Sequence, residues 1–511
     1  MGIFTYTMKY FIFCLLVLPQ IAFGQKHDYI WLAGDANLLG DTTRGGSIIN
    51  FHFNPPKTTY NYRELNFRTC NASISDADGN LLFYTNGCAI AGANDEILKN
   101  GDSLNLGNVY DAKCGQDGYY TSGYQSVLIL PMPDSKNEYY LFHKKIIYTY
   151  NPFDIKVDKL YYSMINMEQN NEKGYVVAKN IEIMNNDIAY GQLTAVKHAN
   201  GKDWWLVTPK DDSNTFYFFL FTKDGIVDTL IQTIGLKPPV NASGGIQMVF
   251  SPDGTKMFRT NPQKAVMVYD FDRSLGQFTG FSTIEVDYKN YPDAVTTWCG
   301  ISPNSRYLYV TTALYVFQFD LWSSDISASQ QVVAEWDGFK DPIGTTFAAC
   351  QLGPDCKIYI VTIDSKYYHV INNPDEPGLA CNVTQHSFVF PTSTGASIPN
   401  FPNYRLGPID NPGLPCSPVV STTTPPTPLP AFSVFPNPVS TTLKIVPNRQ
   451  HDGPARLRLY DVTGRLAKEQ VFDPQLPATE VDVRDLGAGV YFYEIWCEGR
   501  VQRIDKVVKN E

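Results

Sequence analysis

Short runs of apolar, aromatic and β-branched residues, each closed by a Pro/Asp/Gly turn, recur from residue 25 to residue 416. Runs of roughly 4–8 such residues between turn signals read as strands, not helices. The clearest copies are Ser251-Pro252-Asp253-Gly254, Ser302-Pro303-Asn304-Ser305 and Gly353-Pro354-Asp355-Cys356, with evenly spaced prolines and Thr260, Thr311 and Thr362 at one common offset behind them. Strand candidates precede the turns at 245–250, 297–301 and 347–352, and others follow, such as 256–259 and 265–270. Proline presets φ at the first central position, Asp or Asn tolerates the second, and Gly takes a positive φ without steric cost. Looser copies stand earlier: Asp76-Ala77-Asp78-Gly79-Asn80 before Leu81-Leu82-Phe83-Tyr84, Pro133-Asp134-Ser135-Lys136 before Tyr139-Tyr140-Leu141-Phe142, and Asn200-Gly201-Lys202-Asp203 before Trp204-Trp205-Leu206-Val207.

Four strands in each ~40–50 residues is the requirement of a propeller blade, a small twisted sheet that buries its faces only against its neighbours. The pattern therefore predicts an all-β chain: a six- or seven-bladed β-propeller over 25–416, followed by a small C-terminal β-sandwich. Six turn signals give six blades. A seventh is expected from the first strand, 29–33, pairing with 387–391 or 403–406, which closes the ring. The composition agrees, since 32 Tyr, 30 Phe, 37 Gly and 34 Pro suit short strands joined by tight turns.

After Cys416 the sequence changes to Ser417-Pro418-Val419-Val420-Ser421-Thr422-Thr423-Thr424-Pro425-Pro426-Thr427-Pro428, a Ser/Thr/Pro run that cannot form a core and predicts an extended linker over 417–431. At the other end Lys9, the apolar run 11–18, Pro19 and Ala22-Phe23-Gly24 have the order of a secretory signal, expected to be removed at residue 24, with Met8 the more natural start. The apolar run is far short of the ~20 residues of a transmembrane helix. Cys14 lacks the small residue before it that a lipid-attachment site needs. The linker separates off residues 432–511, which carry Pro436-Asn437-Pro438, then Leu459-Tyr460-Asp461-Val462-Thr463-Gly464-Arg465, then Leu486-Gly487-Ala488-Gly489-Val490-Tyr491, and finally Lys506-Val507-Val508-Lys509.

These four motifs, in this order, resemble the type A C-terminal sorting domain of the type IX secretion system of the Bacteroidetes. The resemblance implies a β-sandwich with strands near 433–435, 443–446, 455–460, 479–483 and 489–496. It also implies docking with the secretion machinery and delivery to the outer-membrane surface or the medium. Pro436, Asn437, Pro438, Gly464, Gly487, Gly489, Tyr491 and Lys506 are the sorting residues it marks. The Ser-Pro-Asp-Gly turns resemble those of WD40-like propellers. The segments Gly79-Asn80-Leu81-Leu82-Phe83-Tyr84-Thr85-Asn86-Gly87, Leu193-Thr194-Ala195-Val196-Lys197-His198 and Pro399-Asn400-Phe401-Pro402-Asn403-Tyr404-Arg405-Leu406-Gly407 resemble Bacteroidetes surface proteins to which no catalytic motif is attached.

Export alters the reading of the cysteines. Cys70, Cys88, Cys114, Cys299, Cys350, Cys356, Cys381 and Cys416 of the body enter an oxidising compartment, where disulfides are the default. Cys70 with Cys88 and Cys350 with Cys356 flank turns and are the suggested pairs, although spacing does not fix connectivity. The net charge of −10, with both signs dispersed, gives no footprint for nucleic acid.

The chemistry is sparse. The seven histidines form no His-Glu-x-x-His, and the chain holds no Gly-x-Ser-x-Gly elbow, phosphate loop or dinucleotide fingerprint, so no catalytic, cofactor or metal residues are assigned. Asp76, Asp78 and Asn80 alternate as in a calcium loop but lack its distant acid, and read better as a hairpin turn. Of Trp204-Trp205, Tyr119-Tyr120 and Tyr367-Tyr368 only one ring in each pair can face a ligand, because successive strand residues point to opposite faces. Asp102-Ser103-Leu104 and Asp228-Thr229-Leu230 resemble the O-glycosylation motif of the phylum. The preferred expectation is a surface module that binds an extracellular protein or glycan without turning it over. The alternative is a polysaccharide hydrolase or lyase with paired carboxylates in the channel.

Overall fold

The computed structural model describes residues 25–34, 45–416 and 432–510, less 62, 64, 116–117, 119, 121–122, 152, 186–187, 239–246, 262–264, 288–290, 292–297, 448–452, 477 and 498–499. The expected signal segment and linker lie outside the described residues. The chain divides into two compact units at Val419/Val420.

The described part of the first unit is built of seven antiparallel sheets in chain order. Two have three strands, over 30–61 and 72–92, and five have four, over 127–184, 194–233, 248–285, 298–335 and 350–389. Each strand pairs with the next in sequence, so every sheet is a meander. The six turns read from the sequence each join the first and second strands of a sheet. Ser251 shows why they form: its hydroxyl accepts Lys256 N–H at 3.0 Å, and Asp253 Oδ1 accepts Thr255 N–H at 2.9 Å, which leaves Gly254 at φ +72°. Ser305 and Cys356 take the same left-handed conformation at the equivalent position.

The first strands face inward. Ile30–Gly34 lies against Ala72–Ser75, and that against Val127–Pro131. Likewise Thr194–Lys197, Met248–Phe250, Trp298–Ile301 and Cys350–Leu352 lie each against the next. The first sheet also packs on the seventh: Trp31 meets Tyr359 edge-on with ring centroids 5.4 Å apart, and Thr58 Oγ1 donates to Val389 O at 3.0 Å. The end-to-end strand pairing expected from the sequence is replaced by this packing. Ile30–Gly34 pairs with Gly46–Asn50, and Val383–Val389 pairs with Tyr367–Ile371.

Among the described residues two disulfides form, Cys88–Cys114 and Cys356–Cys416, in place of both suggested pairs. The register Ala72↔Thr85 carried two residues outward sets Cys70 beside Gly87, so Cys88 turns to the opposite face and meets Cys114 at the end of the helix Asn108–Lys113. Cys350 sits opposite Ile360, whereas Cys356 lies at the turn. Cys70 and Cys350 remain buried thiols.

The second unit holds a three-stranded and a four-stranded sheet, with Leu443, Ile445, Leu457, Leu459, Val481 and Ile495 fully buried in its core.

Candidate functional site

The central space between the first strands is filled by the chain itself. Residues 398–416 thread it, beginning where most of the inner strands start and leaving beside the turns that follow them. Asn400 Nδ2 donates to Val127 O and Leu193 O, both at 2.9 Å, and Asn400 N–H reaches Asn71 O. Tyr404 OH donates to Ile129 O at 2.7 Å and Asn403 Nδ2 to Pro252 O at 2.8 Å. Arg405 closes a two-point ion pair on Asp28, with both side chains almost fully buried. The disulfide at Cys416 fastens the end of this segment to the seventh sheet.

Two glutamines complete the seal. Gln125 exchanges both amide bonds with Met248, and Gln247 joins Cys299 N–H to Cys350 O. These amides stand in for backbone partners, so inner-strand groups are satisfied without water. The cavity left beside the plug is about 80 Å³, and the carboxylate in its described lining is Asp28, already held by Arg405. Asp355, whose pKa is raised by burial, accepts a hydrogen bond at 2.8 Å from the hydroxyl of Tyr359 in the strand that follows its turn.

Where the plug emerges, a pocket of about 820 Å³ opens. Tyr404 and Arg405 floor it; the turns 76–78, 131–136 and 201–202 wall it, together with His27 and Lys197. Three of the sequence-read turns thus converge here. Lys197, at the end of its inner strand, pairs across the turn with Trp204, and its ammonium lies 3.9 Å from that ring's centroid. Burial lowers its pKa to about 7. Burial also lowers that of His27, against the hydrogen bond its Nδ1–H gives Ser75 O. Lys202 pairs with Asp134 at 2.9 Å on the rim. Sequence reading singled out the turns but missed Lys197, whose sole signal was a cation at the end of an apolar strand.

Other expected sites resolve as structure. The Asp76 carboxylate accepts Asp78 N–H, Asn80 N–H and Asn80 Nδ2 within its own turn. Among the described residues no group of three or more His, Cys, Asp or Glu is placed to hold a metal. Trp204 and Trp205 are both buried, in different cores, Trp205 giving its indole N–H to Arg273 O. Thr229 is exposed on the outer strand Gly225–Thr233, while Ser103 is half-buried and bonded to Asp102.

In the second unit the exposed Asn437 staples its loop to the last strand, giving Nδ2–H to Lys506 O at 3.0 Å and accepting Val508 N–H at 2.9 Å. Its neighbours Pro436 and Pro438 are exposed, as is Lys506. Gly464, at φ +83°, closes a turn in which Asp461 Oδ1 accepts Thr463 and Arg465 N–H. Tyr491 OH donates to Gly487 O at 3.0 Å, two residues before Gly489 begins its strand.

Residues 433–510 match the family described as the secretion system C-terminal sorting domain. No curated protein matches the chain. Solved structures similar to it include a protein from Lactobacillus plantarum at 11% identity, covering 72% of this chain and 98% of that one with a TM-score of 0.43. The virginiamycin B lyase of Staphylococcus aureus is 9% identical, covering 51% and 85%, with a TM-score of 0.28. The Cps50 β-propeller domain of Myceliophteria thermophila is 10% identical, covering 67% and 94%, with a TM-score of 0.34. The chain is a secreted or cell-surface protein: an all-β body of three- and four-stranded sheets in a propeller-like arrangement, carrying its own sorting domain.

Proposed function

We propose that the body is a closed seven-bladed β-propeller that binds an extracellular protein or polysaccharide without turning it over, after delivery by the type IX secretion machinery through residues 432–511. Closure is supported by the packing of the first sheet on the seventh, which removes the edges an open row of sheets would expose. The observation that carries the binding reading is the plugged channel: the space where paired acids would work is occupied by residues 398–416, and the recess that remains is the mouth pocket. A retaining or inverting glycosidase needs two carboxylates across an open cleft. The described channel lining offers Asp28 alone, neutralised by Arg405.

The test is to incubate the exported chain with a panel of polysaccharides and surface proteins, recording both retention and product release. Retention without new products is expected. Products that vanish on substituting a channel or pocket carboxylate would establish the hydrolase or lyase alternative.

A further inference from the structure

The geometry points to the mouth pocket as a site for a uronic acid residue of a polysaccharide, its carboxylate set against the Lys197 ammonium; this deepens the binding reading above and rests on it. Lys197 lines the pocket yet is only 6% exposed. Its ammonium gives one hydrogen bond, to Lys202 O at 3.0 Å, and no carboxylate among the described residues lies within ion-pair distance. An ammonium has three donors, and a buried charge without a counter-ion is costly. A ligand carboxylate supplies both missing acceptors and charge.

The rim selects the kind of anion. Asp76, Asp78 and Asp134 border the opening. Lys136 and Lys202 stand among them, and Lys202 already holds Asp134 at 2.9 Å, so the rim is of mixed charge: it offers hydrogen-bond partners to hydroxyl groups but not the basic face that an acidic peptide needs, and one carboxylate among many hydroxyls fits it better. A volume of about 820 Å³ lies within the ~300–1,000 Å³ of small-ligand sites.

The charged groups around the ammonium come from four elements: Asp203 in its own turn, Arg273 from the fifth sheet, His27 before the first strand, and Arg405 from the plug. Since burial has lowered the Lys197 pKa to about 7, the amine loses its proton above that value and acid binding weakens there.

Calorimetric titration of the full exported chain with the methyl glycoside of galacturonic acid, which carries a single carboxylate, with its methyl ester and with a poly-glutamate peptide tests this. The acid is expected to bind about 10-fold or more tightly than the ester, as one charge-assisted hydrogen bond implies, and Lys197→Met should erase the difference. Equal affinity for acid and ester on the unaltered chain overturns the proposal, whether or not the variant folds. So does a preference that survives Lys197→Met, or tighter binding of the peptide. Retention of neutral polysaccharides alone sinks the sugar-acid site while leaving the binding reading intact; retention of nothing on the panel removes both.

Discussion

Lys197 sits in the body at a cost that its immediate contacts do not remove. Its pKa is about 7 in the folded chain, lowered chiefly by burial and further by Arg273, against Asp203, which acts the other way. The unfolded value is near 10.5. Between these two values the unfolded chain holds a proton that the folded chain has lost, so stability rises with pH across that window, and below about 7 the full penalty applies. Lys197→Met should therefore stabilise the protein by a few kcal/mol at pH 6, with the gain shrinking towards zero as the pH approaches 10. Thermal melts across that range measure it, and a pH-independent difference would remove the burial argument. Stabilisation on removing a side chain is the usual mark of a residue kept for function rather than folding. At this scale turn chemistry was legible, since Pro, Asp and Gly act through their own backbone, as at Pro252 to Gly254. Disulfide partners were not. Which face Cys88 presents follows from the register of its hairpin, and the distance to Cys114 follows from a helix that spacing does not reveal.

The plug is the element that decides what the channel can do. Its Asn400 amide satisfies two buried carbonyls, so Asn400→Ala should cost about 2 kcal/mol by leaving them without a donor. The shift in denaturation midpoint reports it, and a shift within error would mean that water enters and that the channel is not dry. Cys356–Cys416 closes a loop of 60 residues. Replacing both cysteines by serine should cost about 4 kcal/mol on the chain-entropy account. Equal melting with and without reductant in the unaltered chain would contradict that. The strands of the last three sheets were legible because each repeats one strand–turn–strand unit at a constant interval. The first sheet was not: Lys57–Asn61 is polar and largely exposed, and has the pattern of a loop. Residues 403–406 were one of two candidates for the ring-closing strand, whereas the partners of Asn403 and Tyr404 are the carbonyls of Pro252 and Ile129 in two different sheets, a relation that no local period encodes.

Across the whole molecule, work and address are separated. Each unit has its own buried core, the first around Trp31, Phe142 and Trp204, the second around Leu457, Val481 and Ile495. The plug ends at a disulfide that both begins and ends within the first unit. The family of the second unit was legible because its motifs are local devices: the Asn437 staple, the Asp461–Arg465 turn and the Tyr491–Gly487 clasp each close within one loop or between neighbouring strands. The ligand was not legible, because its candidate pocket is assembled from three sheets, the plug and the N-terminal segment. Deleting 432–511 should therefore abolish delivery to the surface while leaving the melting temperature of the body unchanged. Fractionation of producing cells and calorimetry of the purified body measure the two effects separately. A body that melts lower without its sorting domain would show that the second unit contributes to the folded state, and the pocket would then have to be assayed with it attached.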